Sequence, residues 1–381
     1  MKTAVWLYLF MFVAIFDLHA QYPILSPFAL SLGAAPSFIG LIMGVYSLTH
    51  LPGNLLAGYG VDKYGSRFFI FSSLVGAGVI LLYQAKLTDP YQLLLARSLS
   101  GFVLAFLSPA CLALLAKLAE TRYQQGKLMA GNGMVHTLAA IVSPAAGALL
   151  VAKIGFAAAF AVLGWGLIAT GVFALFAIRD IPYSIAAKKL ARDLAGQREH
   201  SGMQVPLAIY GIPFALSCSQ GILFFELPLT EASRASIINS GILFSYVSFG
   251  ALLTLSLLFL NRLSSFLRTA AGSLFMGLVF FVMAAKLPVP LPASLLAIGM
   301  AHGIILPALS TLLAGESAAS RYGRVFSLLS ISFSLGAFVG PLLAGQIRNA
   351  VSPYYAAFLI VMLALIVMPL PLAPKSQLVN K

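Results

Sequence analysis

Acidic side chains are scarce in this chain: Asp and Glu together number 10 among 381 residues, and all charged residues make up only 9%. Soluble domains carry roughly 25% charged residues, so the composition excludes an ordinary water-soluble globular protein. Cysteine is scarcer still. Cys111 and Cys218 lie in separate apolar runs, which argues for packing rather than a disulfide. The sequence has no C-x-x-C pair, no Walker loop and no credible nucleophile triad, so it offers no zinc, nucleotide or nucleophilic-enzyme chemistry. Neither enzymatic activity nor a metal or other cofactor is expected.

What fills the chain instead is apolar length: hydrophobic residues make up 60% of it, and the mean hydropathy is +0.98. About 20 apolar residues span a bilayer core as a helix. Runs of that kind cover residues 4–25, 35–61, 68–86, 90–117, 126–153, 155–178, 204–229, 236–260, 268–286, 290–315, 322–350 and 352–373. Lys2 and the apolar residues after it have the outline of a signal peptide. The run continues through Leu25 with no clean small-x-small cleavage site, so it is read as the first membrane helix. The polar stretch 179–203 divides the runs six and six. The expected fold is an all-α polytopic membrane protein, with a six-helix bundle over residues 1–178, a cytoplasmic linker over 179–203 and a second bundle over 204–381.

A net charge of +13 raises the question of nucleic acid, and the positions of the basic residues answer it. With the N-terminus inside, seventeen of the 23 basic residues fall in inner segments, five fall in outer ones, and Arg97 sits within a run. That asymmetry obeys the positive-inside rule. The basicity therefore reports topology, with both termini cytoplasmic in a multi-pass protein of the cell (plasma or inner) membrane and no nucleic-acid partner.

The two halves repeat. Pro109-Ala-Cys-Leu-Ala-Leu-Leu-Ala116 aligns with Pro307-Ala-Leu-Ser-Thr-Leu-Leu-Ala314 at an offset of 198, and Pro144-x-x-Gly147 echoes Pro341-x-x-x-Gly345 at 197. Near-constant displacement argues for a duplicated six-helix unit, the arrangement expected when a solute binds between two related halves.

Between the second and third runs lies Gly58-Tyr-Gly-Val-Asp62-Lys63-Tyr-Gly65-Ser-Arg67. Its glycines permit close helix contact and a positive-φ turn, and Asp62 lies beside Lys63 and Arg67 at a membrane boundary, where lone charges are costly. With the order of residues from Gly33 onward, this G-x3-D-x2-G-x-R stretch resembles the signature of the major facilitator superfamily of secondary transporters. Arg97-Ser-Leu-Ser-Gly101 resembles that family's R-x-x-x-G motif. Ser143-Pro144-Ala-Ala-Gly147-Ala148 is similar to its antiporter motif G-P-x-x-G-G in part, with Ser and Ala replacing two glycines. The resemblance, nearest to the twelve-helix drug:proton antiporter type, implies proton-coupled export of a small organic solute by alternating access. It also implies that Arg97 acts in coupling and that Asp62 and Arg67 latch the cytoplasmic face. Pairing of Asp62 with the positive end of the eleventh helix near Tyr322 would be the physical basis of the latch. The partners implied are a small solute, protons and lipid, acting on a monomer.

Charges inside membrane runs are the best markers of function. Asp17 and Arg97 both fall ~10 Å below the outer boundary, counting 1.5 Å per helical residue, and are expected to face a shared cavity as partner charges. Gln21 shares a face with Asp17, whereas His19 is turned away by about 200° and ranks lower. His50, His136 and His302 are further candidates. A single buried histidine is ordinarily a hydrogen-bonded interior group, and several converging on one cavity would reverse that reading. Positions four apart share a helix face, so Gly101 is expected to clear space beneath the Arg97 guanidinium. The stripe Ser327, Ser330 and Ser334 is read as helix–helix glue. Two other functions stay open: an uptake permease for a metabolite or organic anion, favoured by Arg97 and the histidines, and a non-transporting receptor or scaffold.

Overall fold

The computed structural model describes residues 2–119, 121–180, 206–230, 236–257, 260, 263–316 and 322–368. Most of the 179–203 linker, Arg321 and the side chains at positions 58, 62, 316, 322 and 324 lie outside the described residues. Among the described residues every regular element is helical: α1 Lys2–Ser31, α2 Pro36–Tyr64, α3 Ser66–Gln84, α4 Pro90–Leu104, α5 Leu107–Lys117, α6 Arg122–Ala177, α7 Gly211–Glu226, α8 Ile237–Ser256, α9 Ser265–Ala284, α10 Leu291–Glu316, α11 Tyr322–Ile347 and α12 Pro353–Val367. Short 3-10 turns, Leu207–Tyr210 and Leu227–Leu229, flank α7.

The helices map onto the twelve apolar runs once two local effects are read. Pro109 has no N–H to give the carbonyl of Ala105 and its ring crowds that oxygen. The fourth run accordingly bends at residues 105–106 into α4 and α5. The fifth and sixth runs form one continuous helical element, α6, broken at Gly155, whose φ of 80° is open to glycine. Ten candidate spans are long and apolar enough to cross a membrane, the 55-residue one counting twice, and the shorter α12 completes the set.

The polar hinge is shorter than its composition suggests. Residues 58–64 continue α2 to Tyr64, and the turn into α3 is made by Gly65 alone, at φ 88°. The carboxylate of Asp180, just past α6, closes this turn by accepting from the backbone N–H of Ser66 (2.8 Å) and Arg67 (3.1 Å). It thus caps the otherwise orphaned first turn of α3, a favourable place for negative charge. Arg67 donates to the carbonyl of Leu175 and ties the same two helix ends a second time. Asp180→Ala is expected to cost about 1 kcal/mol, the usual worth of a cap, and to lower the melting temperature of the detergent-solubilised protein without altering solute affinity.

Helices α1 to α6 pack on one another, as do α7 to α12, and the two groups meet chiefly along α2 against α11 and α6 against α8. These meetings lie in the half of the molecule away from the hinge. A Cβ on Gly40 would collide with the Pro341 carbonyl, and one on Gly345 with the Pro36 carbonyl. Ser245 and Ser248 of α8 each donate at 2.8 Å to carbonyls of α6, those of Ile141 and Ala140. Toward the hinge the same helices carry exposed apolar residues, Leu55 and Leu56 on α2 and Met134 and Leu138 on α6.

Candidate functional site

A cavity of about 480 Å³ lies between the two groups of helices and is lined from both. On one side stand Leu18, His19, Tyr22, Tyr46, His50, Arg97 and His136, and on the other Gln220, Phe224, Phe244, His302, Phe333 and Ser334. Away from the hinge, aromatic rings link the halves: Tyr22 lies 4.3 Å from Phe224 and 6.4 Å from Phe244 between ring centroids, and Phe224 and Phe244 are 5.2 Å apart.

Arg97 and Asp17 are connected, and the connection differs from the expected direct pair. Gln21 stands between them. Its Nε2 donates to both Asp17 carboxylate oxygens at 3.0 Å, while its Oε1 accepts from Arg97 Nη1 at 3.1 Å. One helical turn separates Asp17 from Gln21, so the amide fills the space between the charges. An amide has a donor end and an acceptor end and therefore bonds to both ions at once. The three side chains are 2% to 3% exposed. Arg97 lines the cavity and Asp17 is sealed behind Gln21.

Gly101 acts differently from the expectation. Its missing Cβ makes room for the Tyr46 carbonyl and Thr49 Oγ1 of α2 rather than for the guanidinium. The consequence still reaches Arg97, because close approach of α2 sets the Tyr46 ring against the guanidinium, with Cζ 4.6 Å from the ring centroid. Gly147 plays a similar part on α6, where a Cβ would meet the backbone of Ala20 on α1. Pro144 and Pro341 both line the cavity.

Four histidines, at 19, 50, 136 and 302, converge on this cavity. The convergence includes His19, which sequence reasoning ranked low for facing away from Asp17; the cavity lies on the side that His19 faces. Its Nδ1 is 3.0 Å from the Ile15 carbonyl and its ring sits edge-on to His136 at 5.8 Å. His50 Nδ1 is 3.0 Å from the Gly101 carbonyl. A carbonyl only accepts, so both Nδ1 atoms carry hydrogen, which leaves Nε2 as the remaining ring nitrogen. Of the serine stripe, Ser334 reaches the cavity wall.

Three features escaped sequence reasoning: the Asp180 cap, the aromatic cluster and the ion pair Glu226–Arg348, with Arg348 Nε 2.8 Å from Glu226 Oε2. The partners in each are distant in sequence. Only the pair carried a signal, as an acid near the end of the seventh run and a base near the end of the eleventh.

This two-part helical architecture with a shared cavity can be set against known proteins. The family model of the Major Facilitator Superfamily matches residues 7–287. The chain belongs to that superfamily. Among curated relatives, "Multidrug resistance protein MdtG" of Klebsiella pneumoniae is 25% identical over 376 residues, spanning 94% of this chain and 89% of the relative. An uncharacterized MFS-type transporter of Methanocaldococcus jannaschii is 23% identical, with 86% of each chain covered. A bacterial homolog of the human lysosomal transporter Spinster, in an inward-facing and occupied conformation, superposes with a TM-score of 0.76 at 15% identity, covering 96% of this chain and 95% of its own. The human organic anion transporter MFSD10 gives 0.66 at 17% identity, covering 97% and 99%. The structural likenesses show the fold. As a major facilitator this chain is a multi-pass membrane protein and a secondary transporter of small solutes, not an enzyme.

Proposed function

We propose that this major facilitator exports a small organic solute in exchange for protons, with Asp17, Gln21 and Arg97 as the coupling element. The observation that carries the reading is the buried chain Asp17–Gln21–Arg97, which ends at the wall of a cavity shared by both halves. An ionised Asp17 accepts from Gln21 Nε2 with both of its oxygens. A protonated one has fewer acceptor sites and gains a donor, so it no longer fixes the amide. The oxygen that Gln21 offers Arg97 then moves, and Arg97 changes what it presents to the solute. Protonation at Asp17 is thereby felt in the cavity without Asp17 touching the solute. His136 and His302 face the same space as candidate proton carriers.

The hinge face is assigned to the cytoplasm by the basic residues gathered there, with both termini on that side, and the protein works as a monomer in the cell membrane. Contact between the halves away from the hinge and exposed apolar residues toward it fit an inward-open state. Alternating access then requires Asp62 to hold the cytoplasmic face shut in the opposite state, and Asp62→Asn is expected to abolish turnover while leaving membrane insertion intact.

The test is flux in proteoliposomes with an imposed pH gradient. Solute movement opposite to the proton gradient, lost on adding a protonophore, supports exchange. Movement with the gradient supports the second reading, proton-coupled uptake of an organic anion, which is favoured by the Arg97 guanidinium on the cavity wall. Absence of gradient-dependent flux would overturn the proton-exchange reading.

A further inference from the structure

Resting on the transporter reading above, we infer that the central cavity takes a small amphipathic organic anion, its oxyanion group seated on Arg97 and its apolar body against Tyr22, Phe224 and Phe244. Arg97 is the one permanently charged side chain among the described residues that line the cavity, and none of those residues carries a carboxylate. Asp17, the nearest acid in the chain of hydrogen bonds, is 2% exposed, with both oxygens engaged by Gln21. A cationic solute would therefore meet a guanidinium with no exposed acid to offset it.

Arg97 also has capacity to spare. Its Nη1 donates to Gln21 and its π face lies on the Tyr46 ring, yet its Nε is buried with no hydrogen-bond partner. A guanidinium offers in-plane N–H pairs that match a planar oxyanion in two parallel hydrogen bonds. The Nε donor is closed off from the cavity, so a ligand carboxylate on this wall takes its hydrogen bonds from the terminal N–H groups of the guanidinium. The imidazoles fit the same ligand. With Nδ1 of His19 and His50 held by carbonyls, the other ring nitrogen accepts when the ring is neutral and donates when it is protonated, so these rings add attraction for an anion as they gain protons. The aromatic cluster supplies an apolar surface within a volume typical of small-molecule sites.

The experiment is equilibrium binding to the full-length protein in lipid nanodiscs, with no gradient present. The probes are benzoate, 2-naphthoate and biphenyl-4-carboxylate, each compared with its primary amide and with a trimethylammonium analogue on the same ring. Saturable binding of at least one carboxylate, at least about tenfold tighter than its amide and not displaced by the ammonium, supports the proposal. Preference for the amide or ammonium, or no saturable binding of any carboxylate, overturns it. Arg97→Lys keeps the charge and removes the paired donors, and should weaken the bound carboxylate by about tenfold or more. The selectivity of the parent protein decides the matter should that variant fail to fold. Failure of the proton-exchange reading is distinguishable, because it would appear as carboxylate binding without gradient-driven flux.

Discussion

Asp17→Asn is expected to reduce gradient-driven transport to the level of protein-free liposomes while preserving solute exchange between equal pools. The asparagine side chain has the size of the acid and still offers Gln21 one oxygen, but it cannot take up and release a proton. A carrier so altered still alternates with its solute and loses the link to the proton gradient. The paired measurement is counterflow without a gradient and accumulation with one. Loss of both would show that Asp17 is needed for folding or for alternation itself. Retention of accumulation would remove Asp17 from the coupling element. Gln21→Leu offers a harsher comparison, because it strands two buried ions that the amide now joins. Breaking a buried charged arrangement costs about 3–5 kcal/mol, so this variant should lose thermal stability where Asp17→Asn does not.

The second large effect concerns the face away from the hinge. Gly40 and Gly345 place backbone against backbone between α2 and α11, and a larger side chain at either wedges the halves apart. Overpacking of this kind costs about 1–3 kcal/mol, which shifts a two-state equilibrium by about 5- to 150-fold. Gly40→Val and Gly345→Val should both enrich the state open on that face. Cys111 and Cys218 are fully buried, so nitroxide labels introduced at the exposed Thr88 and Leu287 can be read against a quiet background. Longer label-to-label distances in both variants are expected. An unchanged distribution in both would show that these glycines do not set the balance between states.

Much of the architecture was legible because the bilayer imposes a length on every apolar segment, and the twelve runs could be bounded from that rule alone. Arg97 and Asp17 stood out for the same reason, as charges that lipid does not tolerate unpartnered. Their connection was not legible. Gln21 shares a face with Asp17 in any helical reading, but whether Arg97 reaches the acid or the amide depends on how closely α4 approaches α1, which helix periodicity does not give. His19 was undervalued because helix periodicity gives the angle between two side chains and does not say which of them looks into the crevice. Asp180 was overlooked because a cap formed between the end of one helix and the start of another three spans earlier leaves no local pattern. The polar hinge looked like a loop because its residues are polar. The helix runs through them to Tyr64, since nothing before Gly65 breaks it.

The lone residue Gly155 joins the fifth and sixth spans with no intervening loop. Two rods spliced so tightly cannot slide past each other along the membrane normal, and the Asp180 cap fastens the sixth to the third at the opposite end. Three of the first six spans are thus tied end to end, an arrangement that resists bending within them and leaves the seam between the two groups of helices as the place where relative movement meets least resistance.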